Sequence, residues 1–172
     1  ERCDTSLKQC WSGLTCQNAV WSLPNSGSYN WDDGNQSWLG TGNYWGRETY
    51  RARSASYSWG YYDANYYYSD GLDETSRISG YYDLTACTGC TVQASFYYTG
   101  WVESTSSDFD YIQARCSGDD GSNWNNDSTL KTQTWSTWSN RTWNMPAGCI
   151  TNKFTFGMRF RSDGSNVEDG ML

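Results

Sequence analysis

Histidine is missing altogether from the 172 residues. With it go the usual general base near neutral pH and the commonest zinc ligand. Aliphatic residues are scarce: Leu, Ile and Val together number 15, too few for a conventional aliphatic core. No apolar run approaches the length needed to span a bilayer. Basic charge is short as well, with 12 Lys and Arg against 19 Asp and Glu, a net charge of −7 and a pI near 4.4. That balance excludes nucleic acid, whose phosphates demand a basic surface, and argues against an anionic membrane. Helical periodicity is absent too, since apolar residues nowhere recur at three–four spacing over a long window.

What is there instead is aromatic: 11 Trp and 14 Tyr. Each ring has an apolar body and a polar tip, so it either fills a core or lies flat against a sugar face or another protein. The chain length fits one domain with a real core. β-Branched residues, Ser, Thr and aromatics dominate, and strands alternate clearly in places. Val92, Ala94, Phe96 and Tyr98 share one face. Phe154, Phe156, Met158 and Phe160 share another, with Lys153, Thr155, Gly157, Arg159 and Arg161 opposite. Tyr111 to Cys116 reads as a strand running into the turn Gly118-Asp119-Asp120-Gly121. Thr132 to Trp143 alternates with polar residues on both faces, so its buried side is not readable. Many short strands, polar turns and only 2 prolines point to an antiparallel two-sheet sandwich or barrel.

Seven cysteines lie at Cys3, Cys10, Cys16, Cys87, Cys90, Cys116 and Cys149. Without histidine they favour disulfides in an oxidising, extracellular compartment. A zinc site built from Cys87, Cys90, Cys116 and Cys149 is the competing reading. A redox CxxC would open a helix, whereas Thr91 to Tyr98 is strand-like. The odd count leaves one thiol free, joined to another chain, or paired elsewhere. Sequons at Asn35, Asn126 and Asn140 agree with secretion and mark candidate glycosylation sites. Residues 1–18 form a cysteine-rich N-terminal segment, stapled onto a body spanning 19–172.

The segments Tyr50 to Gly60, Leu84-Thr85-Ala86, Cys90 to Tyr98, Asp108 to Cys116, Gly121-Ser122-Asn123-Trp124 and Phe154 to Gly170 carry a family likeness. In order and composition they resemble the jelly-roll domains related to the MAM domain. Such domains are appended to secreted bacterial metallopeptidases of the immune inhibitor A type. The most specific stretch is the last, and together the segments cover roughly four fifths of the chain. The resemblance implies a β-jelly-roll in which two loops approach and hold a structural calcium ion. It implies Glu103, Asp108, Asp163 and Asp169 as ligands, with Asp110 and Glu168 beside them. Solvated acidic turns are the plain alternative. The cysteine-rich start and Cys87–Cys90 depart from the family pattern. So does the end at Met171-Leu172, where a further strand is expected, either lost from a fragment or supplied by a neighbour.

Two aromatic regions are candidates for ligand contact: Tyr61, Tyr62 and Tyr67 within the Tyr57–Tyr68 cluster, and Trp124, Trp135, Trp138 and Trp143. Pyranose faces pack on such rings while Asn, Asp and Arg read the hydroxyls. The alternative is that these rings replace aliphatics in the core. Catalysis is poorly supported. No GxSxG or phosphate-cradling motif occurs, and Glu103 and Glu168, the best-placed glutamates, are better used on metal. The expected protein is a non-catalytic extracellular module for recognition or adhesion, with carbohydrate as its partner. Its rival is a structural subunit that binds copies of itself as an oligomer or polymer in a filament, sheath or surface layer. A third reading is an accessory domain of a secreted peptidase or glycosidase.

Overall fold

The computed structural model describes residues 15–17, 20–22, 38–40, 44–49, 51–53, 56–61, 68–85, 91–104, 106, 109–166 and 170–171. They build two stacked sheets. One contains β1 (Thr15–Gln17), β2 (Val20–Ser22), β4 (Trp45–Glu48), β5 (Ser58–Tyr61), β7 (Thr91–Trp101), β10 (Gln133–Asn144) and β12 (Gly170–Met171). The other runs β3 (Trp38–Gly40), β6 (Asp73–Ile78), β11 (Thr155–Arg161), β8 (Tyr111–Ser117) and β9 (Asn125–Asn126), in that order. Apart from the β1–β2, β4–β5 and β8–β9 pairs, which stay within one sheet, the chain crosses between the sheets from strand to strand, as an antiparallel jelly-roll sandwich does. One pair departs from the antiparallel rule: β2 runs parallel to the start of β7. Through it β1, which falls inside the cysteine-rich N-terminal segment, joins the larger sheet. Gly170–Met171 enters that sheet between β5 and β7. Among the described residues no helix is long and apolar enough to cross a membrane.

The expected inward faces hold. Val92 and Ala94 of β7 are core, with Phe96 and Tyr98 packed against it, and Phe156 and Phe160 of β11 are buried. Aromatic contacts join the two layers. Tyr61 of β5 stacks on Phe160 of β11 at 4.2 Å between centroids, and Trp38 of β3 meets Trp59 of β5 at 6.3 Å. The Trp59 indole N–H donates to the Ser76 hydroxyl across the buried interface at 2.8 Å. This satisfies a polar atom whose burial unpaired costs about 1–3 kcal/mol. The core therefore uses rings where other sandwiches use Leu and Val.

One disulfide lies among the described residues. Cys116 of β8 and Cys149 of the 3-10 turn Ala147–Cys149 are bonded, fully buried, with Cα atoms 5.9 Å apart. The bond uses two of the four sulfurs that a zinc site would need, which removes that reading. Cys3, Cys10, Cys87 and Cys90 lie outside the described residues, as does the Cys16 side chain.

Candidate functional site

Two places on the sandwich gather chemistry-bearing side chains. The first is the end where the loop after β7, the turn before β6 and the loop after β11 meet. One carboxylate oxygen each from Glu103, Asp110 and Asp163 lies within 4.8 Å of the other two. Asp110 is fully buried; it accepts a hydrogen bond from the Tyr68 hydroxyl and another, at 3.0 Å, from the Asp163 backbone N–H. Burial pushes its carboxyl above the usual range. Those two hydrogen bonds pull it back, while the charges of Asp163 and Glu103 push it further up. Glu103 accepts at Oε1 from the Asn166 amide at 2.8 Å, and its Oε2 is buried without a hydrogen-bond partner. Hydrogen bonds lock the loops to one another. The Gly71 N–H donates to the Asp163 carbonyl, and the Ser162 hydroxyl donates to the Ser69 carbonyl at 2.8 Å.

Three converging carboxylates with one oxygen left orphaned suit a hard divalent cation that takes oxygen ligands. They are an unfavourable arrangement without one, because like charges repel in a partly dry site. Of the acidic residues named from sequence, the structure brings together Glu103, Asp110 and Asp163. Asp108, Glu168 and Asp169 lie outside the described residues.

The second place is the outer face of the five-stranded sheet. Register sets its rows. Leu39, Arg77, Gly157, Arg115 and Asn126 lie side by side across all five strands. The next row is Thr75, Arg159 and Gln113, and the third Asp73, Arg161 and Tyr111. The indole of Trp124 lies over the first row. The Arg115 guanidinium sits 4.6 Å from its ring centroid, within cation–π range. A Cβ at Gly157 would come within 3.3 Å of the same ring. Trp124 is presented by the turn after β8, in which Asp120 and Gly121 have positive φ. Asp119 organises that turn. Its carboxylate accepts from the Ser117 hydroxyl at 2.6 Å and from the Asn123 amide and N–H at 2.6 and 2.8 Å. These hydrogen bonds, Ser117 first, hold its carboxyl down at about 2.

The aromatic candidates from sequence divide. Tyr61 is 0% exposed and Trp143 9%, so both belong to the core and cannot present a face to a sugar. The sequence could not separate them from surface rings because Trp and Tyr do both jobs here. Trp124 and Trp138 are half-buried, and Trp124 lies on an outer face. Tyr62, Tyr67 and the side chain of Trp135 lie outside the described residues. Asn126 and Asn140 are exposed on strands, while Asn35 lies outside the described residues. Sequence reasoning missed Tyr97, 43% exposed, with the Arg53 guanidinium 3.4 Å over its ring. It also missed the arginines of the five-stranded sheet as a group. The one available signal was the placement of Arg159 and Arg161 opposite the phenylalanine face of β11.

No family model matches the chain, and no curated protein matches it. Among solved structures it is similar to TmCBM61, determined in complex with β-1,4-galactotriose. The identity is 13%, the match covers 83% of this chain and 93% of that one, and the TM-score is 0.48.

Proposed function

We propose that the protein is a non-catalytic, extracellular glycan-recognition module on a jelly-roll scaffold, stabilised by calcium. The observation that carries the recognition reading is the Trp124 face. A half-buried indole lies on the outer sheet surface beside the partly accessible Arg115 and Gln113 and the exposed Asn126, the pairing of ring with planar polar groups that sugar recognition uses. The Cys116–Cys149 disulfide supports an oxidising compartment. Glu103, Asp110 and Asp163 would hold the calcium ion, which would tie the loop after β7 to the loop after β11 at one end of the sandwich.

The test is calorimetric titration of the whole disulfide-bonded chain with a panel of oligosaccharides, repeated on Trp124→Ala. Saturable binding to a panel member that weakens at least roughly tenfold in the variant supports the reading, that being the scale of a stacking contact. A panel with no binder overturns it. Binding untouched by the substitution moves the site off this face.

A further inference from the structure

We infer that the glycan this face takes is acidic, a uronic-acid-containing or sulfated oligosaccharide laid along β11 from Trp124 to Arg161. This rests on the recognition reading above and narrows its ligand class. The charge of the face runs against that of the chain. The outward positions of β6, β8 and β11 carry Arg77, Arg115, Arg159 and Arg161 against the single carboxylate of Asp73. The protein as a whole is at −7. Arg159 is neutralised by Asp73, to which it donates through Nε and Nη2. Arg77 is paired with Asp120 at 2.7 Å.

Arg115 and Arg161 pair with no carboxylate among the described residues. Arg115 Nη1 donates to the Thr75 hydroxyl at 2.7 Å, and its Nε is buried without a partner. Burial, then the neighbouring Arg159, depresses the Arg115 guanidinium to about 10. Arg161 is exposed, and its Nη1 donates to the Tyr111 hydroxyl at 3.3 Å. Arg115 and Arg161 are therefore the two uncompensated cations of a stepped line whose middle member, Arg159, is held by Asp73. Four residues of strand give that line a length of about 14 Å, enough for several sugars rather than one. Guanidinium forks match carboxylate and sulfate oxygens in pairs, which a merely solubilising lysine would not do. The ring of Trp124 at one end supplies a stacking surface that a bare anion would not need.

The closing experiment titrates the disulfide-bonded protein with an oligogalacturonate, a heparin fragment, a panel of neutral oligosaccharides and a single-stranded oligonucleotide of equal charge. The expected result is binding of an acidic glycan that weakens as salt is raised. Each of Arg115→Gln and Arg161→Gln should lower it roughly tenfold, the scale of a lost charge-assisted hydrogen bond. Preference between the first two probes assigns the anion as carboxylate or sulfate. Arg161 is exposed, so its variant keeps the test valid if Arg115→Gln fails to fold. Neutral oligosaccharides binding as tightly as acidic ones would overturn the acidic class and leave glycan recognition standing. Acidic binding unchanged in Arg161→Gln overturns the assignment to this face, whether or not Arg115→Gln folds. Preference for the oligonucleotide also overturns the proposal. If neither acidic nor neutral glycans bind, both readings fall together.

Discussion

Trp124 owes its position to what its neighbours lack. Gly157, in the central strand beneath it, has no side chain to hold the indole away from the sheet. A Cβ there would come within 2.6 Å of the Ser76 carbonyl and 3.3 Å of the ring. Gly157→Ala should therefore act twice, costing about 1–3 kcal/mol through overpacking and lifting Trp124 from Arg115. Urea denaturation checks the first effect and oligosaccharide titration the second; a variant indistinguishable from the parent in both refutes the account. Asp119 works one step further back, by fixing the turn that delivers the ring. Its carboxyl is lowered from 3.8 to about 2, chiefly by the Ser117 hydroxyl and then by Asn123. A depressed carboxyl contributes stability that is present above the unfolded value. That contribution is lost as pH falls from about 4 through about 2. Its carboxyl carbon should thus titrate near pH 2 by NMR, and Asp119→Asn should flatten the acid limb of the stability curve. A midpoint near the ordinary aspartate value would show that the turn does not hold the charge.

Among elements, the link between β8 and the 3-10 turn Ala147–Cys149 matters most, because β8 carries both Arg115 and the start of the Trp124 turn. The disulfide there closes 33 residues of chain, for which loop entropy gives about 3–4 kcal/mol. The double variant Cys116→Ala, Cys149→Ala should lose about that much in denaturant unfolding, and an unchanged midpoint would mean the reduced chain is already held by its packing. The strands themselves were readable where burial is one-sided. The alternation of Val92, Ala94, Phe96 and Tyr98, and of the phenylalanines in β11, is the direct imprint of a half-buried sheet. β10 was not readable. It is polar on both faces, and its pairing with β7 shifts register between Thr134 and Ser139, so alternation cannot say that Trp143 turns inward. Nor was the arginine face legible, because Arg77, Arg115, Arg159 and Arg161 become neighbours only through pairings between distant segments. The acidic loops were legible only through family resemblance. Composition offered acidic turns, and nothing in spacing distinguished Asp110, the buried member, from its neighbours.

At the scale of the whole molecule, the acidic end is the place where a bound cation would act. Glu103 and Asp110 stand on the loop that follows β7 and Asp163 on the loop that follows β11, and Gly71 and Ser69 bind the second of these to the turn before β6. A cation there would bridge segments far apart in sequence, so its loss should be felt globally rather than as fraying of one loop. At a calcium concentration of about a hundred times Kd, binding to the folded state alone adds about 2.7 kcal/mol. For a domain of this size that is a rise in Tm of about 5–10 °C. Glu103→Gln should remove most of it, since it converts the orphaned oxygen into an amide that gives calcium no charge. Protons compete for the same oxygens. Burial raises Asp110 above 3.8, so in the metal-free protein its contribution to stability grows as pH falls through the raised value and is complete below 3.8. Calcium needs the ionised form, and its contribution must shrink over the same interval. Melts recorded with calcium and with chelator should accordingly lie apart at neutral pH and converge on acidification. Superimposable melts at neutral pH would show that the three carboxylates are an unliganded acidic turn.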